Sequence, residues 1–328
     1  MKWNLPKRVE LRELACRDGF QHESSFLPTD TKLYFLEALA ETGFRWLEVT
    51  SFAPPKYLPQ FRDAEELLKR LKKKPGVTYN VITLNERALD RCLQTKEQGF
   101  GPDMILYMIS TSESHNRRNA GRPREEMWKE AASMVKRAHA AGLKVIGTTG
   151  TTFGCPIEGP VPAAASLEFA DRFHELGVDE LNFGDTTGEG TPERVFDFYS
   201  QIVEKHKDVR IVAHFHESRG WGLANCLAAL QAGVYCFDVS MGGLGGQPAN
   251  IVDRVPIKGT GELYTPSDLT GNVRGEDLAV MLDEMKIETG LNLDQYLALG
   301  RLLERVLGRE LRSWTTKTGR IPKGPTGK

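Results

Sequence analysis

Cysteine is scarce in this chain: five among 328 residues (Cys16, Cys92, Cys155, Cys226, Cys236), an odd number, widely spaced and without a C-x-x-C pair. That excludes a disulfide framework and a zinc knuckle, and leaves the thiols as small buried apolar groups. Charge of one sign is also missing, since 43 basic side chains face 44 acidic ones for a formal net charge of −1. Such a balance supplies no field to gather a polyanion, and no polybasic run adjoins an apolar helix, so neither nucleic acid nor membrane is expected as a partner. No stretch approaches the roughly 18 apolar residues of a membrane span, and the opening Met1-Lys2-Trp3-Asn4-Leu5-Pro6 lacks the apolar core of a secretory signal. A cytoplasmic location is expected. No self-similar repeat appears, and no G-x-G-x-x-G follows the first candidate strand, which counts against an open dinucleotide-binding sheet.

What is present is a rhythm of short β-rich runs, each followed by a turn and then by helical spacing of apolar residues. Candidate strands lie at Val9–Ala15, Arg45–Ser51, Val77–Leu84, Met104–Ser110, Lys144–Thr149, Glu180–Gly184, Arg210–His214 and Cys236–Ser240. Helical patterns between them run over Thr29–Thr42, Ala64–Lys73, Asn85–Gln98, Arg124–Ala141, Ala163–Leu176, Pro192–Lys205 and Gly222–Ala232, several closed by a glycine (Gly43, Gly142, Gly177, Gly233) where a helix C-cap belongs. Eight strand–helix units with right-handed crossovers predict an α/β fold, a (β/α)₈ TIM barrel, here with a C-terminal helical extension. The expected division is a catalytic barrel over 1–290, including a lid loop over 242–271, followed by a C-terminal helix and basic tail over 291–328. Helices are expected at Gly275–Glu288 and Leu293–Leu307, and the segment Arg309–Lys328 reads as a solvated tail, alternatively as an interaction arm for phosphate groups.

A parallel barrel places its chemistry at the carboxyl ends of its strands. Polar residues there are Arg17, Asp18 and Gln21 after strand one, Glu48 on strand two, Asp185 and Thr186 after strand six, and His214, His216 and Glu217 after strand seven. The i,i+2 spacing of His214 and His216 points both imidazoles to one face, and two buried imidazoles side by side are costly unless something binds them. A divalent metal is the simplest such partner, with Asp18 as an anionic third ligand; the absence of thiolates favours Mg²⁺ or Mn²⁺ over Zn²⁺ or Co²⁺. Arg17 beside Asp18 suits an anion that forms at the mouth, or a salt bridge to Glu48, or both.

Further motifs join these in order: Leu47-Glu48-Val49-Thr50-Ser51-Phe52, Ser110-Thr111-Ser112-Glu113 with Arg117-Arg118-Asn119, Phe153-Gly154-Cys155-Pro156, Gly184-Asp185-Thr186-Thr187-Gly188, His214-Phe215-His216, Gly242-Gly243-Leu244-Gly245-Gly246, and Thr270-Gly271-Asn272-Val273. With Arg17-Asp18-Gly19-Phe20-Gln21 they make the chain resemble the 3-hydroxy-3-methylglutaryl-CoA lyase family of metal-dependent barrels, relatives of isopropylmalate and homocitrate synthases. The resemblance implies a divalent metal held by Asp18, His214, His216 and Asn272, and an enolate stabilised by Arg17. It also implies an orienting network of Glu48, Asp185 and Gln21, and a segment of Arg117, Arg118 and Asn119 that meets the coenzyme A phosphates, alternatively a solvated loop. At least a homodimer is implied.

Three departures bear on the reaction. The family's general acid/base cysteine after the glycine turn is replaced by Gln247, whose amide cannot exchange a proton near neutral pH but can still orient an oxygen. Glu217, His115, Cys155 or a metal-bound water are then candidate proton donors. Glu217-Ser218-Arg219 replaces the family's aspartate, threonine and tyrosine, so Arg219 either grips a substrate carboxylate or caps a helix. The stretch from Ala249 to Leu269 is longer than the family's link by roughly ten or more residues. The expectation is a metal-dependent carbon–carbon lyase of a 3-hydroxy acyl-CoA. The rivals are an aldolase or condensing enzyme on a non-CoA 2-oxo or hydroxy acid, and a non-catalytic metal- and acyl-CoA-binding protein.

Overall fold

The structure, a computed structural model, describes residues 5–246, 251–252, 255–256 and 271–322. Eight parallel strands close a barrel in sequential order: β1 (Glu10–Glu13), β2 (Trp46–Ser51), β3 (Thr78–Ile82), β4 (Met104–Ser110), β5 (Lys144–Gly150), β6 (Glu180–Asp185), β7 (Arg210–Phe215) and β8 (Cys236–Val239), with β8 paired back to β1. All eight lie where the β-rich runs predict them. Parallel strands covered by helices are buried on both faces, which is why β2 and β6 are buried along their whole length.

Helices over Thr29–Glu41, Ala64–Arg70, Glu86–Glu97, Arg124–Ala140, Ala163–Glu175, Pro192–Lys205 and Gly222–Gln231 form the outer ring. Their starts carry the expected chemistry: Asn85 accepts from the Ala88 amide (2.9 Å), and Thr191 caps the helix that opens with Pro192. Gly43 ends the first helix at φ +109°, and a Cβ there would stand 2.4 Å from the Gly290 carbonyl oxygen, so the turn admits only glycine. The main apolar core fills the space between strands and helices. A second, smaller cluster of Leu14, Trp46, Ile82, Met104, Leu106 and Ile146 fills one side of the barrel lumen. The other side is polar: the buried Arg12 guanidinium stacks on Trp46 (3.5 Å to the ring centroid) and pairs with Glu180 and Asp238.

Periodicity misses some local structure. Arg17 and Asp18 lie in a wide π-type turn, Ala15–Gly19, and Arg117 to Asn119 lie on a helix, Glu113–Ala120. Gly154–Cys155 and Gly159–Pro160 pair as a small hairpin. The helix expected to reach Glu288 stops at Glu284, where Lys286 takes a positive φ of +64°.

The described part of the basic tail is packed, not solvated. Leu311, Ser313 and Thr316 are buried, and the Arg312 amide donates to the Gly242 carbonyl (3.0 Å). The Asp277 carboxylate gathers Ser313 Oγ, the Trp314 amide, and both the amide and hydroxyl of Thr315 at 2.8–3.1 Å. A buried acid with this many donors anchors its segment, a link invisible to composition. Among the described residues no helix is long and apolar enough to cross a membrane.

Candidate active site at the carboxyl end of the barrel

A cleft of about 830 Å³ opens at the carboxyl ends of the strands. The chain enters it where β1 ends. The Leu14 carbonyl accepts from the amides of Arg17 (3.0 Å), Asp18 (2.8 Å) and Gly19 (3.4 Å), a wide turn that directs Arg17 and Asp18 into the cleft. The buried Glu13 secures it, since one of its oxygens accepts from the amides of both Ala15 and Met241 (2.9 Å each). The same carboxylate thus ties this turn to the glycine turn after β8.

Arg17 is held from three sides: Nε donates to Glu48 Oε2 (2.5 Å), and Nη1 to Asp18 Oδ1 (2.8 Å) and Gln21 Oε1 (3.4 Å). Glu48 is itself held by Asn80 Nδ2 (3.1 Å). Burial works against the Asp18 carboxylate, but Arg17 and the two imidazoles outweigh it and keep its pKa far below the ordinary range. The salt bridge to Glu48 and an anion-facing role for Arg17 are therefore compatible.

Two strands round the barrel from β1, His214 Nε2 and His216 Nε2 stand 2.9 Å apart, and the donor atoms of Asp18, His214 and His216 lie within 4.8 Å of one another. His214 Nδ1 faces Asp238 Oδ2 (3.1 Å) and His216 Nδ1 faces the Thr186 carbonyl (2.5 Å). Each Nδ1 thus carries the proton, so two Nε2 lone pairs converge with a carboxylate, an arrangement that calls for a cation. Burial and the neighbouring His214 push His216 down to about 3, whereas the Asp238 contacts outweigh burial at His214 and raise it.

Asn272 joins from far along the chain. It bridges His216 in antiparallel pairing, and the Val273 amide donates to Phe215 O (3.2 Å) while its carbonyl accepts from the Ser240 amide (2.9 Å), so the segment wedges between the ends of β7 and β8. Asn272 Nδ2 donates to Asp18 Oδ2 and to Leu244 O (2.9 Å), while its buried Oδ1 has no hydrogen-bond partner among the described residues. A lone buried amide oxygen beside a carboxylate and two imidazole lone pairs fits a divalent cation with mixed oxygen and nitrogen ligands. Gly245, at φ +91°, allows the approach: a Cβ there would stand 2.6 Å from Asp18 Oδ2 and 2.7 Å from Asn272 Nδ2.

Other expected residues fall elsewhere. Asp185 does not face the cleft; its carboxylate accepts from the amides of Glu189 (2.8 Å) and Gly190 (3.0 Å), and burial raises its pKa to about 6. It reaches the site only through its carbonyl, which accepts from the His216 amide (3.3 Å). Of the basic segment, Arg118 and Asn119 line the cleft, whereas Arg117 points outward and pairs with Glu113 (2.7 Å). Among the described residues Arg118 Nη1 is buried without a partner. Arg219 donates to Thr187 O, and neither it, Glu217 nor Cys155 lines the cleft. Gln247 lies outside the described residues, as does most of the expected lid over 242–271. All five cysteines are free and buried.

Sequence reasoning missed Asp238, Asn182, Asn80 and Arg12. Asn182 Nδ2 donates to Asp238 Oδ2 (2.7 Å), completing the set that holds His214. The available signal was parity: these residues occupy lumen-facing positions of their strands, in register with one another, as Arg12 with Asp238 and Asp238 with His214.

A second cavity of about 770 Å³ at the amino-terminal end, lined by Arg8, Arg45 and Arg210 among others, holds none of the candidate residues. A closed parallel barrel with its polar cluster at the carboxyl end is the build of a (β/α)₈ enzyme. Residues 8–303 match the HMGL-like family. The chain is 33% identical over 308 residues to the hydroxymethylglutaryl-CoA lyase YngG of Bacillus subtilis, covering 94% of this chain and 96% of that one. It is 33% identical to the mitochondrial hydroxymethylglutaryl-CoA lyase of Homo sapiens over 309 residues, with 94% and 89% covered. Among solved structures, an HMG-CoA lyase from Acinetobacter baumannii in complex with coenzyme A and 3-methylmalate superposes with a TM-score of 0.87 at 29% identity, covering 98% of each chain. The chain belongs to the hydroxymethylglutaryl-CoA lyase family and is a lyase.

Proposed function

We propose that this protein is a divalent-metal-dependent carbon–carbon lyase that cleaves a 3-hydroxy acyl-CoA thioester related to hydroxymethylglutaryl-CoA. The observation that carries the reading is the convergence of Asp18, His214, His216 and the lone Asn272 Oδ1 beside Arg17 on the cleft wall. These four residues would hold the cation, Mg²⁺ or Mn²⁺ by the hardness of the donors, which supplies Lewis-acid activation of the substrate hydroxyl.

The chain's own residues do the rest. Arg17, oriented by Glu48 and Gln21, stabilises the enolate charge that develops on the thioester oxygen when the carbon–carbon bond breaks. Asp238 and the Thr186 carbonyl set the imidazole tautomers. Arg118 and Asn119 on the rim meet the coenzyme A portion, a role supported by the coenzyme A held by the A. baumannii relative. Gln247 in place of a thiol supports an acyl group other than hydroxymethylglutaryl. Against the aldolase or condensing reading, the Arg219 guanidinium that could grip a substrate carboxylate is engaged at Thr187 away from the cleft.

The test is a panel of 3-hydroxy acyl-CoA esters and free hydroxy acids with added Mg²⁺ or Mn²⁺, followed by mass spectrometry. Cleavage of an ester other than hydroxymethylglutaryl-CoA supports the reading. Hydroxymethylglutaryl-CoA turnover at roughly 1–10³ s⁻¹ would sink the altered-substrate claim, and silence across the panel would sink the lyase reading.

A further inference from the structure

Retro-Claisen cleavage needs a group that removes the hydroxyl proton and delivers one to the enolate carbon. Few titratable side chains of the described cleft are free for it. Asp18, His214 and His216 belong to the donor cluster, and Glu48 and Asp238 are buried in ion pairs with Arg17 and Arg12. Arginine does not give up its proton, which removes Arg17 and Arg118. Tyr57 stands out at the rim, 71% exposed. His115 is buried, its Nδ1 2.7 Å from Ser110 Oγ, on the helix that carries Arg118.

Among the histidines that line the cleft, His22 is the one that is both exposed and outside the donor cluster. It lines the cleft, it is exposed, and it follows the Arg17–Asp18 turn by four residues, with its amide directed at the Gly19 carbonyl (3.5 Å). It lies close enough to the donor cluster for its charge to be felt at both Asp18 and His216. The charged groups around it are Arg17 and Asp18 on the preceding turn, His216 at the end of β7, Arg118 across the cleft, and Glu23, which is engaged by Arg309 (2.6 Å) of the C-terminal segment. Imidazole is the side chain suited to take and return a proton near neutral pH.

We propose that His22 is the catalytic acid/base of this lyase, an inference that rests on the reaction proposed above. Neutral His22 takes the proton of the 3-hydroxyl. The O–C3 bond becomes a carbonyl as the C2–C3 bond breaks, and that electron pair passes to C2 to give the thioester enolate. The His22 imidazolium returns the proton to C2, forming the C–H bond of the acetyl product and restoring neutral imidazole, so no outside reactant is consumed.

The experiment compares wild type with His22→Ala and His22→Gln on the ester that wild type cleaves best, and titrates Mn²⁺ by calorimetry. The expected result is a loss in kcat of roughly 10²–10⁴-fold, KM and Mn²⁺ affinity within about threefold, disappearance of one limb of the pH profile, and partial rescue of His22→Ala by added imidazole. Loss of solvent deuterium exchange into the methyl group of acetyl-CoA would locate the defect at proton transfer to carbon. Retention of kcat within about threefold in His22→Ala would overturn the assignment while leaving the lyase reading intact. Inactivity of wild type on every ester would overturn both.

Discussion

Asp238→Asn is the substitution whose consequences the geometry specifies most fully. The carboxylate is 3% exposed, accepts from His214 Nδ1 at 3.1 Å and Asn182 Nδ2 at 2.7 Å through Oδ2, and forms an ion pair with the Arg12 guanidinium, whose Nε lies 3.2 Å from Oδ1. Burial opposes its charge, yet Arg12 and His214 outweigh the penalty and hold its pKa below the ordinary value. The amide keeps the shape and one acceptor but removes the charge. Arg12 then relies on Glu180 alone, 2.5 Å away. Breaking a buried pair outright costs about 3–5 kcal/mol, so with Glu180 retained the expected loss is about 2–3 kcal/mol, read as a lower urea midpoint at unchanged slope. The second effect falls on the metal. Without the carboxylate His214 Nε2 becomes a weaker donor, and affinity is expected to fall about 10–100-fold, equivalent to roughly 1.4–2.7 kcal/mol, in a Mn²⁺ titration. An affinity within about twofold of wild type, in a folded variant, would refute the argument that Asp238 sets the histidine.

Three further expectations follow from the same contacts. Burial raises Glu13 to about 7 and Glu276 to about 8, from an ordinary 4.5. The native state then binds more protons than the unfolded chain between about pH 4.5 and 8, so stability should fall as pH rises through that window. The slope approaches about 1.4 kcal/mol per pH unit for each group, and urea melts of wild type and Glu13→Gln at several pH values would show whether it flattens in the variant. Arg118→Ala and Asn119→Ala should raise KM for acyl-CoA esters several-fold while Arg117→Ala does not; equal effects from all three in steady-state kinetics would contradict their placement. Gly245→Ala puts a methyl against Asp18 and Asn272 at a positive φ and should weaken Mn²⁺ binding at least tenfold in calorimetry, whereas unaltered binding would mean the turn yields freely.

The barrel was legible because its strands and helices each carry a strong period and because glycine closes so many of the helices. Asp18, His214 and His216 were legible for a related reason: strand spacing aims both imidazoles one way, and a carboxylate just past the end of β1, two strands round the barrel, completes the set. Asp185 was misplaced because position at a strand end says nothing of side-chain direction, which alternates residue by residue, and here the loop amides of Glu189 and Gly190 claim the carboxylate. Arg12 and Asp238 escaped notice because they lie below the strand ends, where only lumen-facing parity betrays them. The docking of the tail on Asp277 depends on a contact across 36–38 residues that no local pattern encodes.

The Asp18–Asn272 hydrogen bond joins residues 254 apart in sequence. A cation seated among Asp18, His214, His216 and Asn272 would bind together the first strand end and a segment made after the last, so the site cannot exist in any partly finished chain. During synthesis the donors meet only once all eight strands have left the ribosome, and loading with metal becomes a report that the ring has closed. The free energy of that binding then counts toward global and not local stability. Removing metal with a chelator should therefore lower the unfolding midpoint of the whole barrel, in proportion to the logarithm of the free metal concentration withdrawn.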